Sequence, residues 1–297
     1  MPTLPFTTYD VFTAERFAGN PLAVVFDAQD LPEARMQALA REFNLSETVF
    51  IAPPREARHA AGVRIFTPGK ELPFAGHPTI GAAIALAERD DSGPAERLLV
   101  LEERIGPVRC AVKRFPNAAT FAAFDAPKLS EEVALAATDE TLAAALGLAP
   151  DDIGFDRHIP TIYSAGVPFA FAPLASLDAL KRAKPPHGAG RALGATEIYC
   201  YARAEERAAH AYRARMFAPE LGVVEDPATG SAAAAFAGVI ARFEHLAAGW
   251  HTLPILQGVE MGRPSLIGLE IELADGHLKA ARIGGTAIKV SEGRIKV

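Results

Sequence analysis

The stretch Arg64-Ile65-Phe66-Thr67-Pro68, followed by Gly76-His77-Pro78-Thr79-Ile80-Gly81, has a second version later in the chain. That version reads Arg215-Met216-Phe217-Ala218-Pro219, followed by Glu225-Asp226-Pro227-Ala228-Thr229-Gly230-Ser231. Each version predicts an apolar strand, a turn, and a Gly/Pro/Thr segment that opens an Ala-rich helix. A chain built from two such halves can direct two helix N-termini at one small anion.

The elements around these stretches recur in the same order. In the first half we predict strands over 7–12, 22–26, 46–51 and 62–66, helices over 31–43 and 78–89, and further strands within 98–112. In the second half we predict strands over 160–173, 196–201 and 211–217, and helices over 174–183 and 227–243. This recurrence favours internal duplication, with chance similarity of two α+β halves as the alternative.

The duplication predicts two domains. We place the N-terminal repeat at 1–116, completed by about 284–297, and the C-terminal repeat at 117–283. A length of 297 residues is typical of two domains.

The charge and the apolar pattern exclude several classes of partner. The net charge is −6 and no basic run is interleaved with aromatic residues, so we expect neither nucleic acid nor a membrane as a partner. The first residues lack the cationic and apolar regions of a signal peptide. The longest apolar run, Ala232 to Ile240, is too short to span a bilayer. We therefore expect a cytoplasmic protein that acts on a small molecule.

The two cysteines and the histidines give no metal or redox pattern. Cys110 and Cys200 lie in apolar, strand-like segments, which is typical of buried core thiols. Cys-x-x-Cys, His-Glu-x-x-His, Gly-x-Gly-x-x-Gly and the P-loop pattern do not occur. We therefore predict no metal and no cofactor.

The two helix openings are candidate anion sites. Free backbone N–H groups and the positive end of the helix dipole attract an anion at such a start. The candidate substrate-binding residues here are Gly76, Gly230 and Ser231. The alternative is that Asp226 merely caps its helix. Two matched segments, each with a Gly four residues after His77 or Asp226, favour the anion site.

Three side chains near these openings could carry acid/base chemistry. Glu47 begins an apolar strand on the same face as Val49, and burial of a carboxyl away from a cation raises its pKa as acid/base catalysis requires. An exposed carboxylate is the alternative, and Glu197 occupies a similar place in the second half. His77 and Asp226 lie at the helix openings, where the dipole keeps an imidazole neutral, although His77 could equally be structural.

Five motifs together resemble the phenazine-biosynthesis isomerase (PhzF) family, which has the diaminopimelate-epimerase-like fold. They span nearly the whole chain: Phe17-Ala18-Gly19-Asn20-Pro21-Leu22-Ala23-Val24, Asn44-Leu45-Ser46-Glu47-Thr48-Val49-Phe50, Phe74-Ala75-Gly76-His77-Pro78-Thr79, Glu225-Asp226-Pro227-Ala228-Thr229-Gly230-Ser231, and Gln257-Gly258 through Gly262-Arg263-Pro264-Ser265. The resemblance implies two α+β domains, each a barrel-like sheet around a central helix, with the active site in the interdomain cleft. It also implies a homodimer.

The resemblance further implies roles for the candidate residues. Glu47 matches the family's catalytic acid/base, and Glu197 gains no such support. His77, Asp226 and Ser231 match supporting polar residues, and the Gly230 and Ser231 N–H groups match donors to a substrate carboxylate. The related two-cysteine epimerases carry thiols at the helix openings, whereas Cys110 and Cys200 lie elsewhere.

These residues lead to one hypothesis and two rivals. We predict a cofactor-independent isomerase in which Glu47 moves a proton between carbons of a small unsaturated carboxylate. The phenazine-pathway members act on trans-2,3-dihydro-3-hydroxyanthranilate, and this chain's own substrate stays open. The rivals are an epimerase or racemase on an unknown carboxylate and a non-catalytic ligand- or protein-binding homologue.

Overall fold

The computed structural model describes residues 3–90, 92–134, 138–186, 197–204 and 211–297. The chain divides into two compact units, Met1–Asp125 with Gly284–Val297, and Ala126–Ile283. Their helices, within the described part of the chain, all fall short of the length and apolar content that a membrane crossing needs.

The first unit contains most of the strands of the N-terminal half and one late strand. Its elements are β1 (Thr3–Val11), β2 (Asn20–Val25), α1 (Glu33–Phe43), β3 (Glu47–Ala52), β4 (Ala61–Phe66), β5 (Glu71–Leu72), α2 (Gly76–Arg89), β6 (Glu96–Glu103), β7 (Gly106–Phe115), β8 (Ala118–Asp125) and the greater part of β18 (His277–Lys296).

The strands of the first unit close into an eight-stranded barrel. The pairings run β18-β1-β2-β3-β4-β6-β7-β8 and return from β8 to β18; β2–β3 and β4–β6 are parallel. Helix α2 contacts six of these strands and is buried along most of its length. A barrel of eight strands leaves a narrow interior. The small alanines and Gly81 let a helix fit there, because a Cβ on Gly81 would lie 2.3 Å from Leu22 Cδ2.

The second unit contains the remaining elements. They are β9 (Glu131–Val133), α3 (Asp139–Leu146), β10 (Thr161–Ser164), β11 (Pro168–Pro173), α4 (Leu177–Arg182), β12 (Ile198–Arg203), β13 (Tyr212–Ala218), β14 (Val223–Asp226), α5 (Gly230–Phe243), β15 (Gly249–Thr252), β16 (Ile255–Gln257) and β17 (Ser265–Ala274).

The second unit repeats the pairing pattern of the first. Its strands run β10-β11-β12-β13-β16-β17, with β11–β12 and β13–β16 parallel, just as β2–β3 and β4–β6 are. Helix α5 contacts β10, β11 and β17 and, like α2, buries a run of alanines. The predicted α+β class, with a barrel-like sheet around a central helix, is confirmed.

Several element boundaries differ from the sequence prediction. The helix predicted from Pro227 begins at Gly230, because Asp226 still belongs to β14. The helix predicted over 174–183 is shorter, since the Ser176 side chain accepts the N–H of Ala179 and caps α4. The predicted strand 196–201 is β12, and its first predicted residue lies outside the described part. Helix α3 was not predicted.

The limit between the units also lies at a different place from the predicted one. The sequence placed it after residue 116, within the β7–β8 hairpin. Strand β8 pairs with β7 from Cys110↔Phe124 to Phe115↔Ala118, and the first unit therefore extends to Asp125.

Candidate active site

Glu47 stands at the start of a parallel strand pair. Helix α1 ends at Phe43 and is followed by Asn44, whose left-handed backbone (φ 51°) is one that asparagine tolerates. The chain then turns into β3, where Glu47 lies opposite Leu22 of β2. Because β2 and β3 are parallel, Glu47 lies at the same end of the sheet as Asn20, the first residue of β2.

The turn before β2 fixes Asn20. Gly19 has φ +66°, and a Cβ there would lie 2.4 Å from the Val11 carbonyl oxygen. Only glycine fits this turn. Asn20 is fully buried as a result.

The Asn20, His77 and Glu47 side chains form a chain of contacts. His77 is the second residue of α2. Its Nδ1 lies 3.3 Å from Asn20 Nδ2, and its Nε2 lies 3.3 Å from Glu47 Oε2. The side chains of His77 and Glu47 are 5% and 16% exposed. The structure thus brings together two of the three predicted catalytic residues. It also adds Asn20, which belongs to one of the five motifs but had no predicted role.

His77 is uncharged in this setting. Burial lowers the pKa of its imidazole from 6.5 to about 3. In this amide orientation Asn20 Nδ2 donates to Nδ1, which places the imidazole proton on Nε2. A neutral N–H group therefore lies 3.3 Å from the Glu47 carboxyl, in a contact whose angle is not that of a hydrogen bond.

The start of α2 presents backbone N–H groups next to these side chains. The residue before the helix, Ala75, offers no side-chain acceptor to the first turn. The N–H groups of Gly76 and His77 have no partner within the helix, because the first turn of any α-helix leaves its donors unused. The positive end of the dipole adds to their attraction for a carboxylate.

An arginine–glutamate pair supports the approach to each central helix. Arg64 makes two bonds to Glu71, with Nε–Oε1 at 2.7 Å and Nη2–Oε2 at 2.8 Å. Arg215 makes the same two bonds to Glu225, both at 2.8 Å. These arginines open the two repeated stretches of sequence, so the repeat encodes a bidentate brace just before each helix.

In the second unit, Asp226 is held by a polar cluster. Thr229 Oγ1 donates to Asp226 Oδ2 at 2.6 Å. Gln257, fully buried at the end of β16, donates to the Asp226 carbonyl at 2.8 Å and accepts the Thr229 N–H at 3.3 Å. The N-cap residue of α5 is Thr229, without a side-chain cap bond, and Asp226 is not the cap. Like Asn20, Gln257 belongs to one of the five motifs but had no predicted role.

The two helix openings are not matched residue for residue in the way the sequence suggested. Counting from the helix starts at Gly76 and Gly230, His77 aligns with Ser231, whereas Asp226 lies four residues before its helix. The reason is that the two matched glycines have different structural roles. Gly81 lies inside α2 and permits close packing, whereas Gly230 is the first residue of α5.

Strand register aligns Glu47 with Glu197. Thr48 pairs with Phe66 in the first unit, and Ile198 pairs with Phe217 in the second. Glu47 precedes Thr48, and Glu197 precedes Ile198. Glu197 is therefore the structural counterpart of Glu47.

The cysteines take no part in either opening. Cys110 and Cys200 are free and fully buried in β7 and β12, as predicted. Burial raises the pKa of both thiols. Across the residues that the structure describes, no cluster of three or more His, Cys, Asp or Glu side chains could hold a metal ion.

A buried helix inside a strand-rich unit, found in both units, is the architecture of the epimerase-like fold class. The sequence matches the PhzC-PhzF family, described as phenazine biosynthesis-like protein, over residues 9–293. The chain belongs to this family, and the predicted family and enzyme class are confirmed.

Individual relatives agree over their whole length. The chain is 50% identical to an uncharacterized isomerase of Mesorhizobium japonicum over 99% of both chains. It is 39% identical to the trans-2,3-dihydro-3-hydroxyanthranilate isomerase of Pseudomonas fluorescens over 98% of both. A solved PhzF-family phenazine biosynthesis protein of Bacillus anthracis matches with a TM-score of 0.90 at 26% identity, covering 100% of both chains.

Proposed function

We propose that this protein is a cofactor-independent isomerase that moves a proton between two carbons of a small unsaturated carboxylate. The observation that carries the proposal is the contact of Glu47 Oε2 with a neutral His77 Nε2 at 3.3 Å, beside the start of α2. A carboxyl beside a neutral N–H group and a helix N-terminus suits general acid/base chemistry on a carboxylate.

Glu47 acts as both base and acid in this mechanism. As base, its carboxylate takes a proton from an activated carbon, so that a C–H bond breaks and an O–H bond forms. The electron pair of the C–H bond moves into the conjugated system of the substrate. As acid, Glu47 returns the proton to another carbon, so the reaction involves no net oxidation and needs no redox partner.

His77 and Asn20 orient Glu47 in the proposed reaction. A neutral Nε2–H can donate to a carboxylate oxygen without fixing it as strongly as an imidazolium would. Asn20 holds the ring from its other side. The carboxyl therefore keeps one direction in both protonation states.

The remaining predicted residues are proposed to bind the substrate. The N–H group of Gly76 stabilises negative charge that develops during the reaction. In the second unit we propose that the N–H groups of Gly230 and Ser231 bind a carboxylate and that Asp226, fixed by Thr229, helps to manage the proton.

The relatives support a particular substrate class. A relative 39% identical over its whole length is a trans-2,3-dihydro-3-hydroxyanthranilate isomerase. We propose that the substrate here is this compound or another unsaturated ring carboxylate of similar size.

Incubation with trans-2,3-dihydro-3-hydroxyanthranilate in D₂O tests the reaction type. We expect the double bonds to shift, as read by proton NMR. Deuterium at the carbon that receives the proton shows that the Glu47 O–H exchanges with solvent between the two steps, and protium there shows direct transfer. Deuterium at a single inverted centre, with the double bonds unchanged, would identify an epimerase and contradict the proposal. Binding without any shift of the double bonds, for this compound and a panel of related ring carboxylates, would identify a binding homologue and contradict it too.

A further inference from the structure

Glu103 is a buried carboxyl next to the first turn of α2 that the proposed mechanism does not use. It is the last residue of β6 and is 2% exposed. Its Oε1 lies 2.7 Å from Thr79 Oγ1, and its Oε2 has no hydrogen-bond partner among the described residues. A buried carboxylate without a cation would be strongly disfavoured.

The bonds around Thr79 show where the proton lies. Thr79 Oγ1 is 2.7 Å from the Ala75 carbonyl oxygen as well as from Glu103 Oε1. The hydroxyl has a single hydrogen, and the carbonyl can only accept, so that hydrogen goes to Ala75. The second short contact is then satisfied by an O–H of Glu103 that donates to the hydroxyl. Burial accordingly raises the pKa of Glu103 to about 8.

The strand register gives Glu103 a counterpart in the second unit. In the second unit Ala214, which precedes Arg215, pairs with Gln257. In the first unit Gly62 pairs with Glu102, and the same register brings Val63, which precedes Arg64, opposite Glu103. Glu103 and Gln257 therefore occupy equivalent places, each buried at a strand end beside the start of a central helix.

We propose that Glu103 is a positioning residue that does for α2 what Gln257 does for α5. As an uncharged carboxylic acid it holds the first turn through Thr79 and brings no negative charge to the N-terminus that binds the anionic group of the substrate. This role rests on the proposed function, because that function places an anionic group there.

The groups that face Glu103 leave it without a compensating cation within the described residues. Helix α2 presents the Thr79 hydroxyl, and β4 places Val63 in register. Strand β7 presents the Cys110 thiol, whose pKa is raised by burial first and then by Glu103 and Asp125. The adjacent Glu102 behaves in the opposite way, since the N–H groups of Glu56 and Arg55 lower its pKa to about 2.

The first test measures unfolding by urea across pH for the wild type and Glu103→Gln. The folded-state pKa of Glu103 is raised, so its contribution to stability is complete below pH 4.5 and is lost as the pH rises to about 8. The Gln variant has no such proton. We therefore expect the ratio of the two unfolding constants to change about tenfold per pH unit in that window and to level off above it.

Glu102→Gln is the matched control. The pKa of Glu102 is lowered, so its contribution to stability is complete above about pH 4.5 and is lost as the pH falls below that value. The ratio of unfolding constants for Glu102→Gln and the wild type should therefore stay constant between pH 4.5 and 8. A ratio for Glu103→Gln that stays constant between pH 4.5 and 8 would overturn the proposal.

A spectroscopic measurement keeps the proposal testable if Glu103→Gln folds poorly. The infrared C=O band of a protonated carboxyl should be present in the wild type at pH 7 and disappear as the pH rises through about 8. Glu47→Gln should retain that part of the band. If the wild type shows no band that titrates near pH 8, Glu103 is ionised and the proposal is wrong.

Turnover separates positioning from a purely structural role. Once a substrate is confirmed, kcat/KM of the wild type should fall above about pH 8, that of Glu103→Gln should stay level, and Glu103→Ala should raise KM. If kcat/KM changes in the same way above pH 8 for the wild type and for Glu103→Gln, the positioning role is contradicted. The unfolding and infrared measurements need no substrate, so they stand even if the proposed isomerase activity fails.

Discussion

The starts of α2 and α5 share an arginine–glutamate pair but carry different side chains in their first turns. Each helix follows a strand whose first repeated residue, Arg64 or Arg215, makes two bonds to a glutamate. At the second position of the helix, however, α2 has His77 and α5 has Ser231. The two units therefore agree where the backbone must be braced and differ where a side chain can meet a ligand.

The difference shows which positions of a duplicated fold are free to change. The arginine–glutamate braces set the path of the chain into the helix, so both units need them. A residue at a helix start can change without disturbing that path. Glu47 and Glu197 are the instructive case: register makes them equivalent, and Glu47 lies 3.3 Å from a buried histidine.

The largest expected difference between the two units is that between Glu47→Gln and Glu197→Gln. We expect Glu47→Gln to lower kcat by about 10²- to 10⁴-fold, because the amide cannot take up a proton. Glu197→Gln, the matched control at the equivalent position, should keep kcat within about twofold of the wild type. Steady-state kinetics on a confirmed substrate measures both, and equal losses in the two variants would show that the chemistry is shared by the units.

Breaking the two braces should affect stability unequally. Arg215→Met leaves the mostly buried Glu225 without this partner and frees the carbonyls of Leu180 and Ala183, so the free energy of unfolding should fall by about 3 kcal/mol. Arg64→Met should cost only about 1 kcal/mol, because Arg64 is more exposed and Glu71 keeps a bond to Arg104 at 2.6 Å.

Urea denaturation at pH 7 measures both losses. A larger loss for the Arg64 variant would mean that the first unit depends on its brace more than the contacts indicate.

Adding one methyl group to each central helix should give the smallest difference between the two units. A Cβ on Gly238 would lie 2.5 Å from the Tyr163 ring, which cannot yield easily, so Gly238→Ala should cost about 2 kcal/mol. A Cβ on Gly81 meets the end of the flexible Leu22 side chain, and Gly81→Ala should cost about 1 kcal/mol. Thermal unfolding of the two variants should rank them in that order, and the reverse order would show that the first barrel is the tighter of the two.

The strands and central helices of the repeat could be predicted from the sequence because they depend on local sequence patterns. The apolar strands around Arg64 and Arg215 and the alanine runs of α2 and α5 are set by neighbouring residues, which periodicity detects. The start of α5 was misplaced because Pro227 is typical of a first helical position, yet Asp226 is still paired in a strand.

The site was predicted only in part because its contacts join distant residues. Glu47 and His77 were recognised from motifs, but the distance between their side chains depends on how β3 and α2 pack. Glu103 carried no local signal at all, since its equivalence to Gln257 follows from the register of parallel strands. Composition and periodicity do not report such pairings.

The closure of the first barrel by β18 has a consequence for how the protein is made. Strand β1 pairs with β18 from Thr3↔Lys296 to Val11↔Ala287, and the residues of the second unit lie between them in the chain. During synthesis the first unit therefore lacks a strand until the second unit has been translated, whereas the second unit is continuous in sequence. A pairing over such a long separation is slow to form, so until then the open edges of β1 and β8 are exposed to aggregation.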